Sequence, residues 1–214
     1  VTGTAALLFA LTAVVAVGNW LAVSARSKPL EYLLKPLTTI GLIAVAVVVE
    51  PRDSAAQVLF VIALVLSLAG DVLLMLPNRE RLFPFGLGSF LLAHLAYIPG
   101  LLLLGASGGG LIAGFVVAVI GGAIVGSRIL PMVGRVDPRL TVPVTVYLAV
   151  ILAMFVAASG TLLPFAIAGA VLFCISDAVI AFNEFGSGRP RDGVVVMVTY
   201  HLAQALLVLA LVSW

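Results

Sequence analysis

Gly70-Asp71-Val72-Leu73-Leu74-Met75 sets a carboxylate inside an apolar run that otherwise reads as a membrane helix. From Ala55 to Leu76 that aspartate is the only ionisable residue, and about 20 apolar residues are enough to cross roughly 30 Å of hydrocarbon as helix. The stretch Ser176-Asp177-Ala178-Val179-Ile180 repeats the pattern 106 residues later. A histidine follows each aspartate in the next apolar run, at His94 and at His201. Two acids and two histidines in hydrocarbon are costly groups, and their placement is the first thing to explain.

Working outward, the rest of the chain is of the same kind. Its 214 residues are 63% hydrophobic and 9% charged, against about 25% charged in a soluble domain. The expected fold class is all-α, a polytopic membrane protein of eight transmembrane helices forming a single domain over 1–214. The spans fall near 4–23, 32–49, 55–76, 86–104, 109–126, 141–158, 162–183 and 192–212. The first run lacks a basic leader and is longer than the apolar core of a signal peptide, so it is read as span one. The single cysteine, Cys174, lies in span seven, which excludes an intrachain disulfide and a thiol metal cluster.

The net charge of +2 is spread over short loops, so nothing points to nucleic acid or to a soluble protein partner. Arg26 and Lys28 stand in loop one, Arg79 and Arg81 in loop three, Arg128, Arg135 and Arg139 in loop five, and Arg189 and Arg191 in loop seven. The even loops hold only Arg52. By the positive-inside rule the odd loops are cytoplasmic and both termini lie outside, in what is expected to be a bacterial cell membrane.

The halves align. Pro36 and Thr38 match Pro143 and Thr145 at a spacing of 107, and His94 matches His201 at the same spacing. Asp71 with Asp177 and Asn78 with Glu184 keep a spacing of 106. Four spans separate the copies, so the expected repeats, 1–107 and 108–214, run in the same direction about an axis along the membrane normal. The uncharged linker Gly105-Ala106-Ser107-Gly108-Gly109-Gly110 is read as a flexible seam, Pro36 as the opening of span two and Pro143 as a kink in span six.

Several polar side chains share faces with the acids. Ser67 and Asp71 are i, i+4, His94 and Tyr97 are i, i+3, and Tyr200 and Gln204 are i, i+4 beside His201. At 1.5 Å per residue Asp71 lies roughly 7 Å, and His94 roughly 12 Å, below the edge of the membrane. Asn183 and Glu184 follow Asp177 toward the end of span seven, and span six carries Tyr147. Lys35 either snorkels to the surface or meets a phosphate at headgroup depth.

A purely structural reading makes the aspartates and histidines interhelical glue. A two-His, two-carboxylate metal site is conceivable from the residue types, but no ligand spacing supports it, and no metal or cofactor is expected. A proton-coupled small-molecule or lipid transporter is the alternative function, since parallel repeats with intramembrane acids describe carriers. Against it, no helices carry paired Gly/Pro breaks at matched mid-span positions. Two carboxyls in unequal surroundings, one acid and one base, suit hydrolysis of a lipid.

Lys35-Pro36-Leu37, Gly70-Asp71, the Phe-rich segment leading to His94 and Tyr97, Ser176-Asp177, and Thr199-Tyr200 with Gln204 together resemble the YhhN-like family, which includes the eukaryotic TMEM86 lysoplasmalogenases. The resemblance covers nearly the whole chain. It implies a membrane hydrolase that cleaves the vinyl ether bond of a lysophospholipid substrate, a lysoplasmalogen, and releases an aldehyde. On this reading Asp71 and Asp177 are the acid–base pair, in the manner of glycosidase carboxyls. His94, Tyr97, Asn183, Tyr200, His201 and Gln204 are expected to orient water and fix the carboxyls, with Lys35 on the phosphate.

Overall fold

A computed structural model describes residues 3–77, 79–186 and 193–212, without the side chains of Arg79 and Glu80. Asn78, Arg189 and Arg191 lie outside the described residues, and with them the match of Asn78 to Glu184 and the charges of loop seven. The architecture is all-α. Eight helices, each long and apolar enough to cross a membrane, account for nearly all described residues. They are α1 (Gly3–Ser24), α2 (Lys28–Val48), α3 (Ser54–Met75), α4 (Arg79–Leu104), α5 (Gly108–Val136), α6 (Thr141–Gly160), α7 (Pro164–Phe185) and α8 (Gly193–Ala210). Their outer faces are aliphatic, with Val14, Ile112 and Val142 each about 70% exposed. Lipid, not water, is the solvent such a face suits.

Three helix ends differ from the expectation. Helix α2 starts at Lys28, with Pro29 in its first turn, so Pro36 sits two turns inside the helix instead of opening it. Helix α4 starts at Arg79 and carries Pro84 within it. Helix α5 runs ten residues past the expected 126, to Val136, and so reaches roughly 43 Å, beyond the hydrocarbon thickness. The extension is amphipathic. Arg128 and Arg135 face outward, while Ile129 and Val133, at i and i+4, bury against Phe83, Val144 and Phe185 in a second small core. Pro143 lies in the first turn of α6, where its missing N–H costs little. The 105–107 linker is short and pinned by Ser107 N–H donating to the Gly160 carbonyl at 2.8 Å, contrary to its reading as a flexible seam.

The helices pair as hairpins, α1 with α2, α3 with α4, α5 with α6 and α7 with α8, and the hairpins join where α2 meets α3 and α8, and where α4 meets α6. Apolar tails solvate isolated helices as well as neighbours do, so close packing decides association in lipid. Glycine makes that approach possible at two places. A Cβ on Gly70 would stand 2.7 Å from the Phe90 ring, and one on Gly169 would stand 3.0 Å from the Ala203 carbonyl oxygen. These are the α3–α4 and α7–α8 seams, and they bring Asp71 and Asp177 into the bundle interior.

Candidate functional site

Asp71 is fully buried, one turn before the end of α3. Its Oδ1 lies 3.1 Å from the Lys35 ammonium, and its Oδ2 accepts hydrogen bonds from Thr39 Oγ1 at 2.9 Å and Tyr200 OH at 2.8 Å. Lys35 and Thr39 are i, i+4 on α2, so one helical face delivers both donors to the acid. The snorkelling alternative for Lys35 is thereby overturned. Its side chain is only 8% exposed and turns inward, because an ammonium opposite a carboxylate is worth far more in a low-dielectric interior than in water.

A second polar chain runs beside the first. Tyr97 OH donates to Gln204 Oε1 at 2.5 Å, and Gln204 Nε2 donates to Ser67 Oγ at 3.0 Å. His201 accepts a hydrogen bond at Nδ1 from the indole N–H of Trp20 at 3.0 Å, which assigns its proton to Nε2. This contact ties α1 to α8. Trp20→Phe keeps the ring packing and deletes the donor, and a loss of about 1 kcal/mol is expected, read as a lowered thermal midpoint.

Asp177 is held differently. Its Oδ2 accepts from Tyr147 OH at 2.5 Å, and His94 Nε2 stands 3.9 Å from the same oxygen. His94 is buried edge-on between Tyr147 and Phe173, with ring centroids at 5.4 and 4.6 Å. Neither of its nitrogens has a side-chain hydrogen-bond partner among the described residues. The Asp177 side chain keeps 13% of its surface and lines two adjoining cavities, one of about 280 Å³ and one of about 60 Å³. Asp71 lines neither.

The two carboxyls therefore do not share one chamber. They belong to two clusters linked by aromatic rings, since Tyr200 on Asp71 packs edge-on against Phe173 at 5.6 Å, and Phe173 packs on His94. Asp71, Asp177, His94 and His201 do not gather as a single ligand set, and the described residues hold no group of three or more His, Cys, Asp or Glu placed to bind a metal ion. Asn183 lies nearly two turns beyond Asp177, half-buried, with no side-chain hydrogen bond to the site among the described residues.

Sequence reasoning missed Thr39, Trp20, Phe173 and the bond from Tyr147. For Thr39 the i, i+4 spacing from Lys35 was the available signal. It also missed Asn19, fully buried, with neither amide atom partnered among the described residues.

Known proteins resemble this chain over most of the same helices. The chain is 37% identical over 172 residues to a lysoplasmalogenase of Mycobacterium tuberculosis, covering 78% of this chain and 64% of that protein. The same figures hold for the lysoplasmalogenase of Mycobacterium bovis. It is 30% identical over 190 residues to lysoplasmalogenase TMEM86B of Homo sapiens, covering 83% of this chain and 74% of that protein. The chain thus spans a little under two thirds of the mycobacterial relatives' length. No solved structure matches it significantly. The family model for YhhN matches residues 30–211, from within α2 to the end of α8, taking in every residue of both carboxylate clusters, so the chain belongs to the YhhN family.

Proposed function

We propose that this protein is an integral membrane hydrolase of lysoplasmalogen-like lysophospholipids, with Asp177 as the proton donor to the vinyl ether. The observation that carries the proposal is the Asp177 carboxyl at the junction of two cavities, with the Tyr147 hydroxyl on one oxygen. The similarity to lysoplasmalogenases supplies the substrate class.

The reaction needs one acid and one water. Asp177 gives its proton to the alkene carbon remote from the ether oxygen, and the ether oxygen lends electrons to form an oxocarbenium ion. The resulting carboxylate takes a proton from water as the water oxygen bonds to the cationic carbon. The hemiacetal collapses to a fatty aldehyde and the glycerophospho alcohol. Each proton and oxygen is accounted for, and one carboxyl serves first as acid and then as base.

Tyr147 fixes the carboxyl's orientation, and His94, 3.9 Å from the carboxyl, is placed to orient the water. Asp71 is a positioning residue. Neutralised by Lys35, it holds Tyr200 and, through Phe173, the wall against which His94 rests. Lys35 then serves Asp71 instead of a substrate phosphate.

Two wider features belong to the same reading. The odd loops face the cytoplasm, so Asp177 works from the inner leaflet. The chain is a parallel duplication of 1–107 and 108–214, which is supported by matched packing: Asp71 of α3 is held from α2 and α8, and Asp177 of α7 from α6 and α4. Tyr97 and Gln204, 107 residues apart, bond to each other, as equivalent positions beside a two-fold axis must meet.

The test is turnover of a purified lysoplasmalogen in D2O. The expected aldehyde carries one deuterium at the carbon next to its carbonyl, from protonation of the alkene. Release of aldehyde without that label, or no aldehyde at all, rejects the mechanism. Tyr147→Phe is expected to lower the rate about tenfold or more, because a hydrogen bond to a charged group is worth about 1.5 kcal/mol or more.

A further inference from the structure

The larger cavity is a slot with a direction. It lies between α5, α6 and α7, and along α6 its lining runs from Val144 to Phe155, roughly 16 Å of helix. Tyr147 and Asp177 stand near one end, and beyond them the walls are aliphatic or aromatic but for the Cys174 thiol and the bare backbone of Gly121 and Gly122, with Phe155 the deepest lining residue of α6. Half of a hydrocarbon core of about 30 Å is one leaflet, which matches this length.

A volume of about 280 Å³ drawn out over that length is narrow, suited to a slender chain and not to a helix about 10 Å across. The slot also opens sideways. Val117 on α5 and Val171 and Ile175 on α7 line it while 56%, 39% and 42% exposed, so its mouth faces the bilayer and not an aqueous end.

We infer that this slot takes the hydrocarbon tail of a single-chain lipid, threaded in from the bilayer between α5 and α7, with the first carbons of the tail held at Asp177. The inference rests on the hydrolase reading for the identity of the lipid, and adds which helices hold the tail and in which direction it lies. The tail runs away from the basic end of the bundle. The smaller cavity continues from Asp177 toward the ends of α3 and α4 nearest the basic loops, lined there by Leu74, Phe83 and Leu87.

Gly121 leaves the side of the slot open. It lines the cavity one turn from Val117, and a Cβ built on it meets nothing within 4 Å, so a side chain there extends into the open space at the lateral mouth and obstructs entry without displacing a neighbour. Its helical neighbour Gly122 packs against Leu152, which places both about five residues along α6 from Tyr147, roughly 8 Å down the slot.

The experiment uses the whole chain in phosphatidylcholine vesicles and a non-cleavable 1-O-alkyl glycerophosphoethanolamine with a photoreactive diazirine at the end of a ten-carbon tail. Adducts are expected to concentrate on α5, α6 and α7 around Val117, Phe155 and Val171. Gly121→Phe should lower them at least tenfold, Gly121→Leu by a smaller factor, and Ile112→Phe on the outer face of α5 should leave them unchanged. Adducts spread evenly over the lipid-facing surface, or adducts in the slot that Gly121→Phe and Gly121→Leu leave intact, overturn the inference. Because the probe cannot be hydrolysed, slot adducts together with no aldehyde from a vinyl ether lipid sink the hydrolase reading and leave the tail slot standing. The reverse outcome sinks the slot alone.

Discussion

Asp177→Asn lowers aldehyde release from lysoplasmalogen by about 10²–10⁴-fold, the range that a positioned general acid contributes, while the protein remains folded. The amide is nearly isosteric and its oxygen still accepts the Tyr147 hydroxyl, so the packing of α6 against α7 survives. The change removes the carboxyl at the junction of the two cavities, the most acidic donor among the residues lining them. Carbon protonation has no easy substitute, because water in an apolar slot is scarce and a neutral amide is no donor to an alkene. Aldehyde release is followed with a chromogenic aldehyde trap, and the fold by thermal unfolding in detergent. Turnover like that of the unaltered protein would remove Asp177 from the chemistry.

Asp71→Ala is expected to act on stability, at a cost of about 3–5 kcal/mol, since it strands a buried ammonium that has lost its counter-charge. Lys35 is only 7% exposed and cannot reach water without unpacking α2. Pairing the change with Lys35→Met removes the stranded charge and should return most of the loss, giving a large coupling energy in a double-mutant cycle. Unfolding midpoints of the four proteins measure it. Additive losses would mean that the 3.1 Å pair contributes nothing beyond its separate parts.

The eight helices were legible because each is an apolar run of sufficient length, which is nearly the whole requirement for a span. The ends were less so. The last ten residues of α5 carry Arg128 and Arg135, which break the apolar run, although Ile129 and Val133 keep a buried stripe through it. Counting hydropathy hides a helix that turns amphipathic as it leaves the membrane.

The candidate site was legible in its residue types and depths but not in its partition. Position along the chain sets how deep Asp71 and Asp177 lie in their helices, while the rotation of α3 and α7 about their axes depends on packing against neighbours, as at the close approaches of Gly70 and Gly169. Those rotations give Asp71 to Lys35 and Asp177 to Tyr147. Lys35 itself was ambiguous because its stem can carry an ammonium to either side, and only the neighbouring helix says which.

The bond between Tyr97 and Gln204 bears on how such a chain arose. On the duplication reading, an ancestral half that paired with itself would have set two identical residues face to face at this position. The present contact is an unlike couple, a phenol against an amide. On that reading the two halves have diverged where they meet, and each now supplies a different member of the couple.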